Sequence, residues 1–292
     1  MNIEMAYLLG AILGNGEVQR GSRNTTITIE IPYKNLWTED KKDIAIYTKA
    51  SILDIKTILD PLVGKDLTVT ESMHNTRLSF TKNNDDYTMR ELMRFIGRGT
   101  HHRNMQMNKE LFDMSIDEKK SLLRGFADTT GYIRRSNRGR NPYEHRVYLE
   151  VPENWNMVID ICNLLRDVDV PVETIDFGHP NFRDGKVTKY NEGNKTFWKK
   201  EHQIKIYANE FLAIGFNISH KQECLIKFAE EQMEFMNVNF THRFYWEKRK
   251  TKPKEKPHHP EENSCFLPEN IRGKHYDSWK QLARELGYHE KR

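Results

Sequence analysis

The stretch Ala6–Val18, AYLLGAILGNGEV, has a near copy at Ser121–Ile133, SLLRGFADTTGYI, and no other feature constrains the fold so tightly. Setting Gly10 against Gly125 places Leu8 opposite Leu123, Gly14 opposite Thr129, Asn15 opposite Thr130, Gly16 opposite Gly131 and Val18 opposite Ile133. A charged turn follows each copy, Arg20–Asn24 or Arg134–Arg138. Next comes an alternating strand that ends in proline, Thr26–Pro32 or Arg146–Pro152. Shared order over several elements indicates an internal duplication.

Within Glu4–Gly14, Met5, Leu8, Leu9 and Ile12 recur at helical spacing, and Gly10 and Gly14 lie four apart on one face. Glycine costs about 1 kcal/mol against alanine inside a helix, so two of them need a packing reason or a terminus. Without a Cβ, two helices can nearly touch. Gly14-Asn15-Gly16 supplies the terminus, while Gly10 and Gly14 are suited to close helix packing and their counterparts Gly125 and Thr129 are small as well.

The rest of the first half reads as a hairpin over Glu17–Pro32, one helix or two over Asp40–Leu62 stopping before Pro61, a hairpin turning at His74-Asn75, and a short helix Tyr87–Ile96. Gly97–Met107, with Arg98, His101, His102 and Arg103, reads as a solvated connector or a phosphate contact. The second half repeats the order. It has a helix over Ile116–Asp128, a hairpin over Gly131–Pro152, a helix over Trp155–Val168, strands at Val172–Phe177 and Gln203–Tyr207, and helices at Phe211–Phe216 and His220–Met236. Gly178–Glu201 is a polar excursion. The basic run Lys248–Lys256 suits an extended linker to a small unit at Pro268–Arg292, whose helix Asp277–Leu286 suits packing on the main body or on a partner protein.

A chain of 292 residues, 37% hydrophobic with 14 Phe, 12 Tyr and 5 Trp, has enough apolar mass for a sizeable core. A net charge of +4 neither identifies nor excludes a nucleic-acid partner. Cys162, Cys224 and Cys265 lie far apart, which suggests no disulfide framework and a reducing compartment. No apolar run reaches a membrane span and no signal-peptide pattern opens the chain, so a water-soluble, cytoplasmic protein is expected. His258, His259, Cys265 and His275 are zinc-ligand types without a paired-cysteine spacing. The chain lacks the phosphate-cradling loops of nucleotide-binding folds and the nucleophile elbow of hydrolases.

Leu8–Gly16, LLGAILGNG, and Leu122–Gly131, LLRGFADTTG, resemble the two namesake motifs of single-chain LAGLIDADG homing endonucleases, and the order of elements over Glu4–Met236 is that family's too. The resemblance implies an α+β fold of two pseudo-symmetric αββαββα repeats, packed through their motif helices, each with a curved antiparallel sheet. The halves would be residues 1–97 and 116–236, joined by a connector at 98–115 and followed by the linker and helical unit of 237–292. It further implies a monomer whose sheets lie along double-stranded DNA, with the last acid of each motif holding divalent metal beside the scissile phosphates. Two such carboxylates serve two-metal hydrolysis with Mg²⁺.

The positions that match those acids are Asn15 and Thr130, both neutral. Glu17 and Asp128 are the candidate replacements, as catalytic residues and as metal ligands, although Asp128 lies two residues from the motif position and also suits anchoring of the helix end. Two readings follow: a sequence-specific DNA-binding protein without cleavage, or an active endonuclease with a divergent metal site. RNA maturase activity is a third. Readout of bases would fall to Gln19, Arg20, Arg23, Asn24, Thr26, Thr28 and Glu30 in the first half. In the second it would fall to Arg134, Arg135, Asn137, Arg138, Arg140, Arg146 and Tyr148. Arginine can bond guanine bidentately, Asn and Gln adenine, and Thr the thymine methyl.

Overall fold

A computed structural model describes residues 1–38, 44–135, 145–176, 201–238 and 264–266. The chain is mixed α and β with antiparallel sheets, and it divides into two compact units. The first holds Met1–Arg134 and Leu212–Lys227, the second Arg135–Phe211 and Phe228–Arg292. These units do not coincide with the sequence repeats, because the helix that opens the second repeat belongs to the first unit.

Two helices form the centre of the first unit. Helix α1 (Ile3–Asn15) begins at Asn2, whose side chain accepts from Met5 N, and every residue from Met5 to Gly14 is buried. A helix apolar around its circumference has no solvent face and must lie in a core. Helix α4 (Ile116–Thr130) begins with a reciprocal cap between Ser115 and Glu118. The two pack backbone to backbone. A methyl built on Gly10 would stand 1.9 Å from the Leu122 carbonyl oxygen, and one built on Gly125 would stand 2.0 Å from that of Tyr7. One on Gly14 would meet the Thr129 hydroxyl at 2.5 Å. Leu8, Leu9, Ile12, Leu122, Leu123 and Phe126 are almost wholly buried around this crossing, at about 1.5–3 kcal/mol each.

The same unit carries a four-stranded sheet ordered β1-β2-β4-β3. Its strands are β1 (Gly16–Arg20), β2 (Asn24–Pro32), β3 (Thr68–Glu71) and β4 (Asn75–Asn83). Ile27, Ile29, Ile31, Leu78 and Phe80 enter the core while the alternate residues of β2 and β4 face outward. Helix α2 (Ile44–Val63) runs through Pro61 rather than stopping before it. Proline strains a helix without always ending it, and the stop comes at Gly64, where φ is 66°. Helix α3 (Tyr87–Ile96) occupies its expected span.

The second unit has strands β6 (Arg146–Pro152), β7 (Thr174–Asp176), β8 (Glu201–Tyr207) and β9 (Ser264–Phe266) in the order β6-β8-β7-β9. β5 (Gly131–Arg134) closes the first unit's main segment directly after α4. Strand β9 is an addition that sequence patterning did not anticipate. Helix α5 (Trp155–Asp167) buries Val158, Ile161, Leu164 and Leu165. The helix expected over Phe211–Phe216 lies earlier, as α6 (Ala208–Phe211), and Gly215 adopts a φ of 70°. Helix α7 (Ser219–Val238) follows, its first half counted with the first unit. The Gly178–Glu201 excursion except Glu201, the basic linker, the helix Asp277–Leu286, and His258, His259 and His275 lie outside the described residues.

Gly10→Ala should destabilise the chain by at least about 3 kcal/mol, the upper end of ordinary overpacking, because the methyl meets a carbonyl that cannot rotate away. Gly64→Ala has open space and only an unfavourable φ, so it should cost about 1–2 kcal/mol. Urea midpoints for the two variants test the ranking, and equal losses would contradict it.

Candidate nucleic-acid interface

The outward face of the first sheet is a ladder of neutral and charged polar side chains in register. Gln19 stands opposite Thr26, and Thr26 opposite Thr81. Glu17 faces Thr28, which faces Ser79, which faces Thr68; Glu30 faces Arg77, which faces Thr70. Paired hydroxyls recur along it: Thr26 with Thr81 at 2.8 Å and Thr28 with Ser79 at 2.9 Å. Glu30 accepts from Arg77 Nε at 3.3 Å, and Glu17 from Gln19 at 3.4 Å. Arg23 and Asn24 are exposed at the β1–β2 turn, and an Arg20 guanidinium nitrogen donates to the Gly97 carbonyl. Thr68, Thr70, Arg77, Ser79 and Thr81 join the face in addition to the residues expected from the sequence. The alternation in NTRLSFTKN, Asn75–Asn83, carried the signal for the last three.

The foot of α4 is chemically different from a metal cradle. The last four carbonyls of any helix lack intrahelical partners. Here Thr129 O accepts from Asn15 Nδ2 at 2.9 Å and from Asn35 Nδ2 at 3.0 Å. Asp128 O accepts from Lys221 Nζ at 2.9 Å, and Ala127 O from Lys221 Nζ at 3.4 Å and from the Gly131 N–H. The Thr130 hydroxyl turns back to Phe126 O at 2.8 Å, joined by Thr129 at 3.0 Å. Asn15 and Thr130 therefore both present donors to helix carbonyls, and a cation, Lys221, already stands at the helix's negative pole.

Asp128 lies inside the core instead of at a metal site. Its carboxylate accepts the Tyr7 hydroxyl at 2.8 Å and the N–H groups of Asn217 at 3.1 Å and Ile218 at 3.4 Å. It is completely buried, as is Lys221 to within a percent. Burial pushes the Asp128 carboxyl up to about 6, against the opposing pull of Lys221. Burial likewise lowers Lys221 to about 8 and, with Asp128, holds Tyr7 far above its ordinary range. Glu17, by contrast, is exposed, two residues beyond the end of α1. Buried Asp128 and exposed Glu17 are therefore not the pair of converging carboxylates that Mg²⁺ hydrolysis asks for. Among the described residues no three His, Cys, Asp or Glu side chains cluster to hold a metal ion.

In the second unit, Arg146, Tyr148 and Glu150 of β6 stand opposite Tyr207, Lys205 and Gln203 of β8. Arg146 is committed elsewhere: its Nε and a terminal nitrogen donate to the buried Glu173 at 2.9 and 3.1 Å, and Tyr207 donates to the same carboxylate at 3.0 Å. Arg135 pairs with Glu231 at 3.2 Å and covers the Phe228 ring. Tyr148 is half-buried with the Lys205 ammonium 5.6 Å from its ring. Arg134, which closes the first unit's main segment, is exposed over Tyr132. Asn137, Arg138 and Arg140 lie outside the described residues.

No family model and no curated protein matches the chain. Solved structures do. Full-length WhiA from Thermatoga maritima is 13% identical, matching 85% of this chain and 69% of that one with a TM-score of 0.44. The homing endonuclease I-WcaI bound to its DNA recognition sequence is 15% identical over 79% and 81% of the two chains, with a TM-score of 0.44. I-DmoI in complex with DNA and Mn is 14% identical over 73% and 97%, with a TM-score of 0.40. No helix among the described residues is long and apolar enough to cross a membrane.

The buried carboxyl predicts a pH signature. An acid whose pKa is higher in the fold than in the unfolded chain holds its proton more tightly when folded. Between about pH 4 and 6, the window set by Asp128, the folded chain carries the extra proton and this group's contribution to stability falls as pH rises. Subtracting the stability of Asp128→Asn from that of wild type across this range should leave a negative slope, up to about 1.4 kcal/mol per pH unit. Urea unfolding at a series of pH values measures it, and a flat or rising difference would refute the raised pKa.

Proposed function

We propose that the chain is a sequence-specific double-stranded DNA-binding protein built on a LAGLIDADG-type scaffold, and that it holds its site without cutting it. The observation that carries this reading is the registered polar ladder on the first sheet. Thr, Gln, Glu and Arg there match the donors, acceptors and methyl contacts of major-groove base edges. The paired motif helices and the order of elements support the scaffold. The absence of cleavage is supported by Asn15 and Thr130, which donate to α4 carbonyls where the resembled family has acids.

A second reading, endonuclease activity through a divergent metal site, is favoured by one observation: Glu17 is exposed beside the end of α1. Asp128 does not enter that reading, since three donors already occupy its carboxylate inside the core.

A randomised duplex library incubated with the purified chain, in Mg²⁺ and separately in Ca²⁺, separates the two. The expected result is enrichment of a site longer than one helical turn in both ions, with no Mg²⁺-dependent ends. Ends that disappear in Glu17→Gln would establish the nuclease instead, and failure to retain any duplex at low salt, where phosphate contacts are strongest, would sink both readings.

A further inference from the structure

The segment between α3 and α4 is not the free solvated connector its composition allows. Val18 N donates to Thr100 O at 2.7 Å and His102 N to Gly16 O at 2.8 Å, so the segment runs antiparallel along the outer edge of β1. Glu17 and His101 are bridge partners across that edge. Antiparallel partners project to the same side, so His101 shares the face that carries Glu17, Thr28 and Ser79. The segment is closed at both ends. Arg20 bonds the Gly97 carbonyl, the N–H groups of Asn104 and Met105 donate to His101 O, and Met105 and Met107 are buried anchors. Asn104 Oδ1 accepts from both Thr100 N and His101 N.

On this fixed frame Arg98 and Arg103 are exposed. Arg94 and Arg98 line a groove together with Asn104 and Asn108, and Arg94 is engaged there by Glu110 and Glu91. The two histidines differ in kind. Burial lowers His102 to about 3, so it stays neutral and packs its ring 4.0 Å from that of His101. His101 Nδ1 accepts the Arg103 N–H at 3.3 Å, and a neutral ring held in that way carries its proton on Nε2, as a donor.

We propose that residues 97–105 form a phosphate-gripping rim on the edge of the first reading sheet, with Arg98 and Arg103 as its charged contacts and His101 as a neutral donor. The inference rests on the DNA-binding reading above and names the backbone contacts of that same surface. Phosphates flank the groove whose base edges a sheet reads, so charge fixed along the sheet's outer edge meets backbone while the face meets bases.

The test uses the full chain, a duplex carrying the selected site, and binding measured between about 50 and 200 mM salt. Each lost phosphate contact on duplex DNA makes the slope of log K against log salt shallower by about 0.9, so Arg98→Gln/Arg103→Gln should reduce it by about 1.8. Preference for the selected site over a scrambled duplex should be unchanged, because phosphate contacts carry no base information. Lys65→Gln/Arg90→Gln removes the same charge from other exposed positions and should leave the slope as in wild type. Equal reductions in the two double variants, or a wild-type slope in the first, would overturn the rim. Loss of site preference in the first would overturn it as well, by making these residues base readers. His101→Leu should weaken binding several-fold without altering the slope, and unchanged affinity would remove His101 from the rim. If wild type retains no duplex, the DNA-binding reading itself fails; wild-type binding with an unresponsive rim fails the rim alone.

Discussion

The close crossing of α1 and α4 is the constraint on which the first unit depends. Gly10 lies on the Leu122 carbonyl and Gly125 on the Tyr7 carbonyl, a reciprocal arrangement in which each helix supplies one glycine and one bare backbone oxygen. That proximity brings the Tyr7 hydroxyl to Asp128 and the Ser121 hydroxyl to Ile3 O, and it sets Asn15 beside the last turn of α4. Any side chain larger than hydrogen at Gly10 or Gly125 would part the helices and break these bonds together. The glycine spacing is thus a condition for the polar contacts as well as for the packing.

The electrostatics of the α4 foot follow from the same closeness. A helix C-terminus carries a partial negative charge, and cations or N–H donors stabilise it. Lys221, Asn15 and Asn35 all answer that need, and the Thr129 and Thr130 hydroxyls answer it from within the helix. A carboxylate at position 15 would instead face the Thr129 carbonyl, acceptor against acceptor. It would require a bound cation or rearrangement of Asn35. The neutral residues at these positions therefore make the helix pair self-sufficient without one.

Legibility in the sequence tracked the distance over which each interaction acts. The two motif helices, α3 and the β1–β2 hairpin could be read because helical period, alternation and turn residues are local. The outward ladder of β4 is equally local, since Arg77, Ser79 and Thr81 alternate with Leu78 and Phe80. Asp128 could not be placed from sequence: Tyr7 lies 121 positions away, and Asn217 and Ile218 lie 89 and 90 away. Arg146 fits a base reader by residue type and position in the sequence, but Glu173, 27 positions on, takes its Nε and one terminal nitrogen. The docking of His101 and His102 on β1 leaves no periodic trace either, because its bonds join backbone groups that every residue has.

The two sheets also differ in what they could offer a duplex. On the first, Thr26, Thr28, Ser79 and Thr81 are joined hydroxyl to hydroxyl, and a hydroxyl can rotate to a new partner without leaving a buried charge behind. On the second, withdrawing Arg146 would strand Glu173 in the core, and breaking a buried pair in that way costs about 3–5 kcal/mol. Arg146 is accordingly a strut of its sheet. Readout would then lean on neutral hydroxyl and amide groups, with arginines holding either the fold or the phosphate backbone. A mild net charge of +4 suits that division better than a protein whose arginines all face the groove.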